Sequence, residues 1–268
     1  MSGRRSMPTR SETERALCRG AIYQTVSVGF YRPSAKLVER FASAIELAAL
    51  KMAAAQLAAD GAAELTGAVD ALGARTALEL GALDAQYGRM FGHTARALVP
   101  PYETEYQLDA PFLQPQQLAD IAGFYRAFGL RLGPSVRERV DHISCECEFL
   151  SFLCRKQAFA LIHDDQAMLA ATRSGQRQFL RDHLGRFALA FGTRVQREDC
   201  GGFYGALAGL LLSHLRSECA AAEVAVGPEL LELRSAQEEP LPIACGNGCE
   251  LLTAAEGEGE GERERKWE

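Results

Sequence analysis

Proline is absent from two long stretches of this 268-residue chain, Ser34 to Val99 and Ser135 to Gly227, and that absence most constrains the fold. Proline removes a backbone donor and interrupts a helix interior, so such spans can run as successive helices. Both carry apolar residues at spacings of three and four, the period of a helix face. Ile, Val and Thr together supply under a tenth of the residues while alanine abounds, which argues against a large sheet. The expected class is all-α.

The turn signals divide the chain further. The spacing predicts helices from Glu12 to Phe30, broken at Arg32-Pro33, and from Ser34 to about Ala59, stopping before Asp60-Gly61. Ala62 to Gly92 holds one or two more, interrupted at Gly73 or Gly81. Gln116 to Phe128 is a helix stopped by Gly129, which can take the left-handed cap conformation. Ser135-Val136-Arg137-Glu138 fits a capping box and predicts a helix from about 136 to His163. Gln166 to about Phe191 and Asp199 to about Glu223 follow, with Asp164, Asp165 and Asp199 placed as caps.

The expected architecture is a multi-helix bundle of two halves, 12–98 and 115–225, joined by a proline-rich connector at 99–114 that contains Tyr102-Glu103-Thr104-Glu105-Tyr106. Residues 1–11 are expected to be a flexible N-terminus. Beyond 225 the helical pattern fades, and 226–268 is expected to be mostly disordered. Its end, Glu256 to Glu268, carries six glutamates and three basic residues among glycines and cannot bury enough surface to offset its ordering entropy.

Charge and cysteine usage exclude several function classes. With 29 Lys+Arg against 35 Asp+Glu the net charge is −6, and no basic run exists to neutralise phosphates, so nucleic acid is a poor partner. The eight cysteines follow no disulfide framework and read as reduced thiols of a cytoplasmic protein. Arg4-Arg5 is followed by polar residues where an export signal needs an apolar stretch. The apolar run Ala42 to Ala59 contains Glu46, Lys51 and Gln56 and reads as an amphipathic helix outside any membrane.

The residues that could carry chemistry gather before and within the 136–163 segment. Val140, Ile143, Cys147, Leu150, Cys154 and Leu161 form one apolar stripe, and Cys145, Phe149, Phe152 and Phe159 a second beside it, which places this helix at the centre of the bundle. Its start crowds Glu138, Asp141, His142, Glu146 and Glu148. Ordinary helix-start electrostatics explains Glu138 alone; the group together reads as an acidic mouth that would receive a cation. Metal signals are weak. Cys245 and Cys249 would leave a zinc site half filled, Cys145 and Cys147 point about 200° apart on a helix, and His163-Asp164-Asp165 is a helix end with a cap. One His beside one Asp without a nucleophile is not a catalytic set. Gly201, Gly202, Gly205 and Gly209 follow no strand, so no phosphate-cradling loop is implied.

The blocks Leu83-Asp84-Ala85-Gln86-Tyr87-Gly88-Arg89-Met90-Phe91-Gly92, Val99-Pro100-Pro101-Tyr102-Glu103-Thr104-Glu105-Tyr106, Phe124-Tyr125-Arg126-Ala127-Phe128-Gly129-Leu130, and Asp141-His142-Ile143 with Glu148-Phe149-Leu150 resemble, in order and spacing, the TorD/NarJ-type redox-enzyme maturation chaperones (the TorD/DmsD family). The resemblance covers about Arg15 to Leu215. Within it, the connector is most like chaperones of type II dimethyl-sulfoxide-reductase-family enzymes. The family's Glu-x-Pro-Asp-His signature stands here as Glu138-Arg139-Val140-Asp141-His142, and valine in place of proline is expected to lengthen the helix by part of a turn.

The resemblance implies a cytoplasmic, non-enzymatic chaperone. Its partner would be a dimethyl-sulfoxide-reductase-superfamily catalytic subunit and that subunit's twin-arginine signal peptide, held while molybdopterin cofactor is inserted before export. No cofactor is expected on the chaperone; the client carries molybdopterin guanine dinucleotide. Two adjacent guanidinium groups followed by an apolar segment need carboxylates near an apolar groove. Glu138, Asp141, Glu103 and Glu105 are the candidates for the arginines, with His142 either binding the signal peptide or fixing the orientation of Asp141. Tyr102, Tyr106, Phe124, Tyr125 and Phe128 are candidates for the groove, against plain core packing for Phe124 and Phe128. The alternatives are an all-helical metal- or His/Asp-dependent enzyme using His142, Asp141 and Glu138, and a helical adaptor without signal-peptide binding. A monomer is the simpler expectation, with a domain-swapped dimer as its alternative.

Overall fold

The chain's own helix signals account for most of the architecture seen in the computed structural model, which describes residues 10–59, 61–92, 97–106, 113–133 and 138–234. Helix α1 (Arg10–Phe30) is followed by α2 (Ala35–Ala42), α3 (Ala44–Ala59), α4 (Glu64–Gly73), α5 (Leu80–Phe91) and α6 (Gln114–Ala127). Then come α7 (Ile143–Ile162), α8 (Gln166–Phe179), α9 (Gly185–Glu198) and α10 (Phe203–Ala221). No strand is present among the described residues, so the all-α expectation holds; two isolated bridges, Tyr102 with His142 and Tyr106 with Leu233, are the extended pairings.

Four expected boundaries are corrected. The single helix over 34–59 is two, bent by 63° at Ser43. Ser43 is extended (φ −71°, ψ 116°) and its Oγ accepts the Glu46 N–H at 3.3 Å, so it ends α2 and caps α3. The predicted 136–163 helix starts only at Ile143. Ser135 to Arg137 of the supposed capping box lie outside the described residues, and Glu138 stands in a bend. The expected lengthening at Val140 does not occur, because the backbone of 141–143 pairs with the connector instead: Glu103 N–H donates to Asp141 O at 2.9 Å and Ile143 N–H to Pro101 O at 2.8 Å. His142 is the N-cap, its Nδ1 accepting Ser144 N–H at 3.1 Å.

The predicted 166–191 helix continues through a π-helical turn, Leu180–Leu184, into α9 and ends at Glu198. Asp199 caps α10 at a distance rather than lying within it. Gly202 occupies the cap position, while Asp199 Oδ2 accepts Gly205 N–H at 3.0 Å and Oδ1 accepts Gln86 Nε2 at 2.6 Å. Elsewhere the signals hold: Asp165 caps α8 through Met168 N–H at 2.9 Å, and Gly129 (φ 76°) follows α6.

Along its first apolar stripe α7 is central, whereas Phe159 of the second stripe is 52% exposed and Phe152 only partly buried. Ile143, Cys147, Leu153 and Cys154 are fully enclosed, and α7 packs most extensively on α1. The two approach closely at Gly20, where an added Cβ would stand 3.2 Å from Cys154 Cβ, and Ser151 Oγ donates to Gly20 O at 2.8 Å. Elements of both helical runs share one core. Phe30 of α1 meets Phe91 of α5 and Phe191 of α9 at ring distances of 5.9 and 5.1 Å, and Phe91 meets Tyr204 of α10 at 5.1 Å. Burying each such ring contributes on the order of 1.5–3 kcal/mol.

Residues 226–234 return along the bundle: Gly227 N–H donates to Gly185 O, and Arg234 N–H to Glu105 O at 2.9 Å. Residues 235–268, with Cys245 and Cys249, lie outside the described residues. Among the described residues no single helix is long and apolar enough to cross a membrane, although the bent pair α2–α3 meets that test jointly. Because Asp199 satisfies the start of α10 and ties it to α5, Asp199→Ala is expected to lower stability by about 1–2 kcal/mol. Equilibrium urea unfolding reads the loss; an unchanged midpoint would remove the cap from this account.

Candidate functional site

The acidic mouth is built where the connector crosses the turn before α7, and it already holds a cation. Pro101 and Glu103 pair with residues 141–143 in an extended arrangement, which brings Tyr102, Thr104 and Glu105 beside Asp141. Into this space the chain inserts Arg139. Its Nε and Nη2 contact Asp141 Oδ1 and Oδ2 at 3.0 and 2.7 Å, its Nη1 contacts Glu105 Oε1 at 3.0 Å, and Nη2 also reaches Thr104 Oγ1. The guanidinium lies 4.6 Å from the Tyr102 ring centroid. Burial opposes its charge, yet Asp141 and Glu105 hold Arg139 more firmly protonated than an ordinary arginine.

Asp141 is fully buried and also accepts Thr104 N–H and Oγ1–H at 3.2 and 2.8 Å, so its oxygens are all engaged. A carboxylate at such a depth is stable only when paired in this way. Arg139 was missed in the sequence because cations were sought in a partner. An arginine two residues before an aspartate is the local trace of the pair, and it does not reveal the aspartate's depth.

The other expected site residues divide by depth. Tyr102 is half-buried and donates to Glu138 Oε2 at 2.8 Å, and Glu138 keeps a 21% exposed side chain. Glu103 is buried, facing His183 of the π turn at 3.2 Å. Tyr106 is buried and donates to Pro100 O, and Tyr125, also buried, donates to Val140 O at 2.8 Å. Phe124 and Phe128 are partly buried; Phe124 meets Phe179 and Phe128 meets Phe149 at ring distances of 5.4 and 5.8 Å. The structure thus gathers Tyr102, Glu105, Glu138, Asp141 and His142 at one point. Tyr106 and Phe124 lie within the packed interior around it.

His142 is enclosed between Tyr31, stacked at 6.0 Å, and Tyr102 at 5.2 Å. Tyr31, absent from the sequence expectations, donates to the exposed Glu148 at 3.1 Å, so Glu138 and Glu148 form a rim beside the two tyrosines that enclose His142. Beside that rim opens a groove of about 200 Å³ between α7 and the chain after α6. Tyr125, Leu132, Phe149 and Phe152 give it apolar walls, and Arg155 stands at its edge. Among the described residues, no group of three His, Cys, Asp or Glu is placed to hold a metal.

Two kinds of buried titratable group lie in the interior, at the seat and in the bundle. Burial, with Arg139 nearby, pulls the His142 pKa down to about 3, and burial pulls His214 in the bundle to about 4. Glu146 moves the other way: burial first, then Glu103 and Asp141, raise it well above the usual carboxylate range. The histidines therefore stabilise the fold above their unfolded pKa near 6.5 and lose that contribution as pH falls towards 3. Glu146 contributes fully below about pH 4.3 and loses its contribution as pH rises through its folded value. Glu146→Gln, neutral throughout, is expected to raise the urea midpoint at pH 9 relative to the parent while retaining the decline below about pH 6.5. Curves that stay parallel at high pH would refute the assignment.

No solved structure matches the chain. Among curated proteins, the perchlorate reductase assembly chaperone protein of Dechloromonas aromatica (strain RCB) is 37% identical over 71 residues. That alignment covers 26% of this chain and 31% of the relative's length. The family described as nitrate reductase delta subunit matches residues 54–192, about half of the chain, including α5, the connector, the seat and α7. With the TorD/NarJ-type blocks standing on the elements that build the seat, the chain belongs to the nitrate reductase delta subunit family.

Proposed function

We propose that this protein is a non-enzymatic assembly chaperone for the catalytic subunit of a redox enzyme, and that it recognises a twin-arginine signal segment at the crossing of the connector and α7. The family and the assembly role in its relative's name support the coarse reading. The observation that carries the finer one is the seat itself: Asp141, Glu105, Thr104 and Tyr102 already grip a guanidinium, that of Arg139.

In this reading the client's first arginine meets the rim carboxylates, partly buried Glu138 and exposed Glu148. Its second competes with Arg139, which is 33% exposed, for the seat. Charge-assisted hydrogen bonds of this kind contribute about 1.5–3 kcal/mol each when partly desolvated. A flat guanidinium suits both a forked carboxylate and the face of Tyr102, which an ammonium does not. The apolar segment that follows lies in the neighbouring groove over Phe149 and Phe152. A client so held in the cytoplasm, its signal covered, would receive its molybdopterin cofactor before export; the chaperone itself supplies no cofactor.

Calorimetric titration with twin-arginine peptides of candidate molybdoenzymes, each beside its Lys-Lys counterpart, tests this. Micromolar binding to the parent protein, equivalent to about −8 kcal/mol, is expected to weaken at least tenfold for Lys-Lys and for Glu138→Gln. Arg139→Gln, which vacates the seat, is expected to bind tighter. Equal affinity for both peptides would overturn arginine recognition, and no binding to any candidate would overturn the signal-peptide reading.

A further inference from the structure

Far in sequence from the connector, four arginines line one cleft of about 470 Å³ among α1, α7, α8 and α10. Arg15 and Arg19 stand four residues apart on α1, and Arg173 and Arg177 four apart on α8. Like charges at this spacing share a helix face and repel, so each helix bears one mutually unfavourable pair turned to the same space. They do so in a chain whose net charge is −6. None of the seat or rim residues takes part in this cleft.

Its floor and rim differ in what they can release. At the floor Arg19 is clamped by Glu218 through two contacts of 2.6 Å and by Gln157 Oε1 at 3.0 Å, with Glu218 only 4% exposed, so this pair stays. At the rim Arg173 meets Glu12 at 2.6 Å and Arg177 meets Glu223 at 3.7 Å, and all four side chains are 46% exposed or more. Such exposed pairs hold weakly. An anion entering the cleft can displace Glu12 and Glu223 and meet Arg173 and Arg177 over the fixed Arg19. The volume falls within the range of about 300–1,000 Å³ usual for small-molecule sites. Guanidinium forks pair with phosphate oxygens in the same two-point way as with carboxylates.

We propose that this cleft binds a soluble molecule carrying a chain of two or more phosphate groups, independently of the client-binding seat. The test is calorimetric titration of the full chain with inorganic pyrophosphate and tripolyphosphate at fixed ionic strength, with citrate as a carboxylate anion of similar charge. Saturable binding is expected, tighter for tripolyphosphate, at least tenfold weaker in the Arg173→Gln/Arg177→Gln double variant, and unchanged in Arg131→Gln outside the cleft. Glu12→Gln/Glu223→Gln, which removes the competing rim carboxylates, is expected to bind tighter. These positions are exposed, and circular dichroism melting verifies that each variant folds. The proposal is overturned by absence of saturable binding at millimolar phosphate, by equal affinity in the Arg173/Arg177 double variant, or by citrate binding as tightly as tripolyphosphate.

Discussion

Asp141 is a carboxylate placed where no water reaches it, and the path of the chain around it follows from satisfying it. Its main-chain carbonyl takes the Glu103 N–H; its side chain takes Thr104 twice and Arg139 twice. Those bonds hold the connector against residues 139–142, and Gln114 Nε2 adds the start of α6 by donating to Thr104 Oγ1 at 2.9 Å. Breaking a buried pair by removing one partner leaves an uncompensated charge and costs several kcal/mol, whereas the intact pair adds little net stability. The interaction therefore specifies an arrangement more than it stabilises one. It explains why α7 begins at Ile143: the preceding residues are held extended by pairing with the connector and cannot join the helix.

How far the sequence reveals this depends on the range of each interaction. Local signals were legible: Arg32-Pro33, Gly73, Gly129 and Asp165 end or start helices because the responsible contacts lie within four residues. The break at Ser43 was equally local, since Ser43-Ala44-Ile45-Glu46 has the spacing of a capping box, but the surrounding apolar run masked it. The delayed start of α7 was not legible, because a connector some forty residues earlier decides it. The π turn at Leu180–Leu184, which aims His183 at Glu103, likewise answers to tertiary contacts. For the site, the positions of the acids were legible and their depth was not. Glu103, Glu105 and Asp141 read as surface acceptors in the sequence because nothing local distinguishes an exposed carboxylate from one that the chain's own arginine neutralises.

The aromatic candidates teach a related lesson. Tyr102, Tyr106 and Tyr125 look alike as motif residues, yet their hydroxyls end in different places. Those of Tyr106 and Tyr125 satisfy backbone carbonyls in the interior, at Pro100 and Val140. That of Tyr102 meets the partly exposed Glu138, and its ring face carries the guanidinium. A buried tyrosine needs a partner for its hydroxyl, and the choice of partner separates those that fix the connector from the one that a ligand can reach.

The same contrast holds for the two guanidinium–carboxylate pairs that bracket α7. Arg19 and Glu218 join α1 to α10, with Gln157 of α7 as third member, and Arg139 with Asp141 and Glu105 joins the connector to the turn before α7. At Glu218 burial would drive a lone carboxylate towards its neutral form, but Arg19 outweighs it and holds the pKa below the usual range. Glu146, which lacks such a cation, is pushed towards its neutral form, and burial likewise disfavours the charged form of His142 and His214. The Arg19 side chain is 16% exposed and that of Arg139 33%, so the first pair is a fixed joint whereas the second has an open side. A ligand bearing guanidinium groups can compete only at the second, and there its gain is limited to the difference between two similar sets of bonds. Discrimination at such a seat rests on shape, on the flat fork against Tyr102, and affinity must come from what surrounds it: the rim carboxylates and the apolar groove.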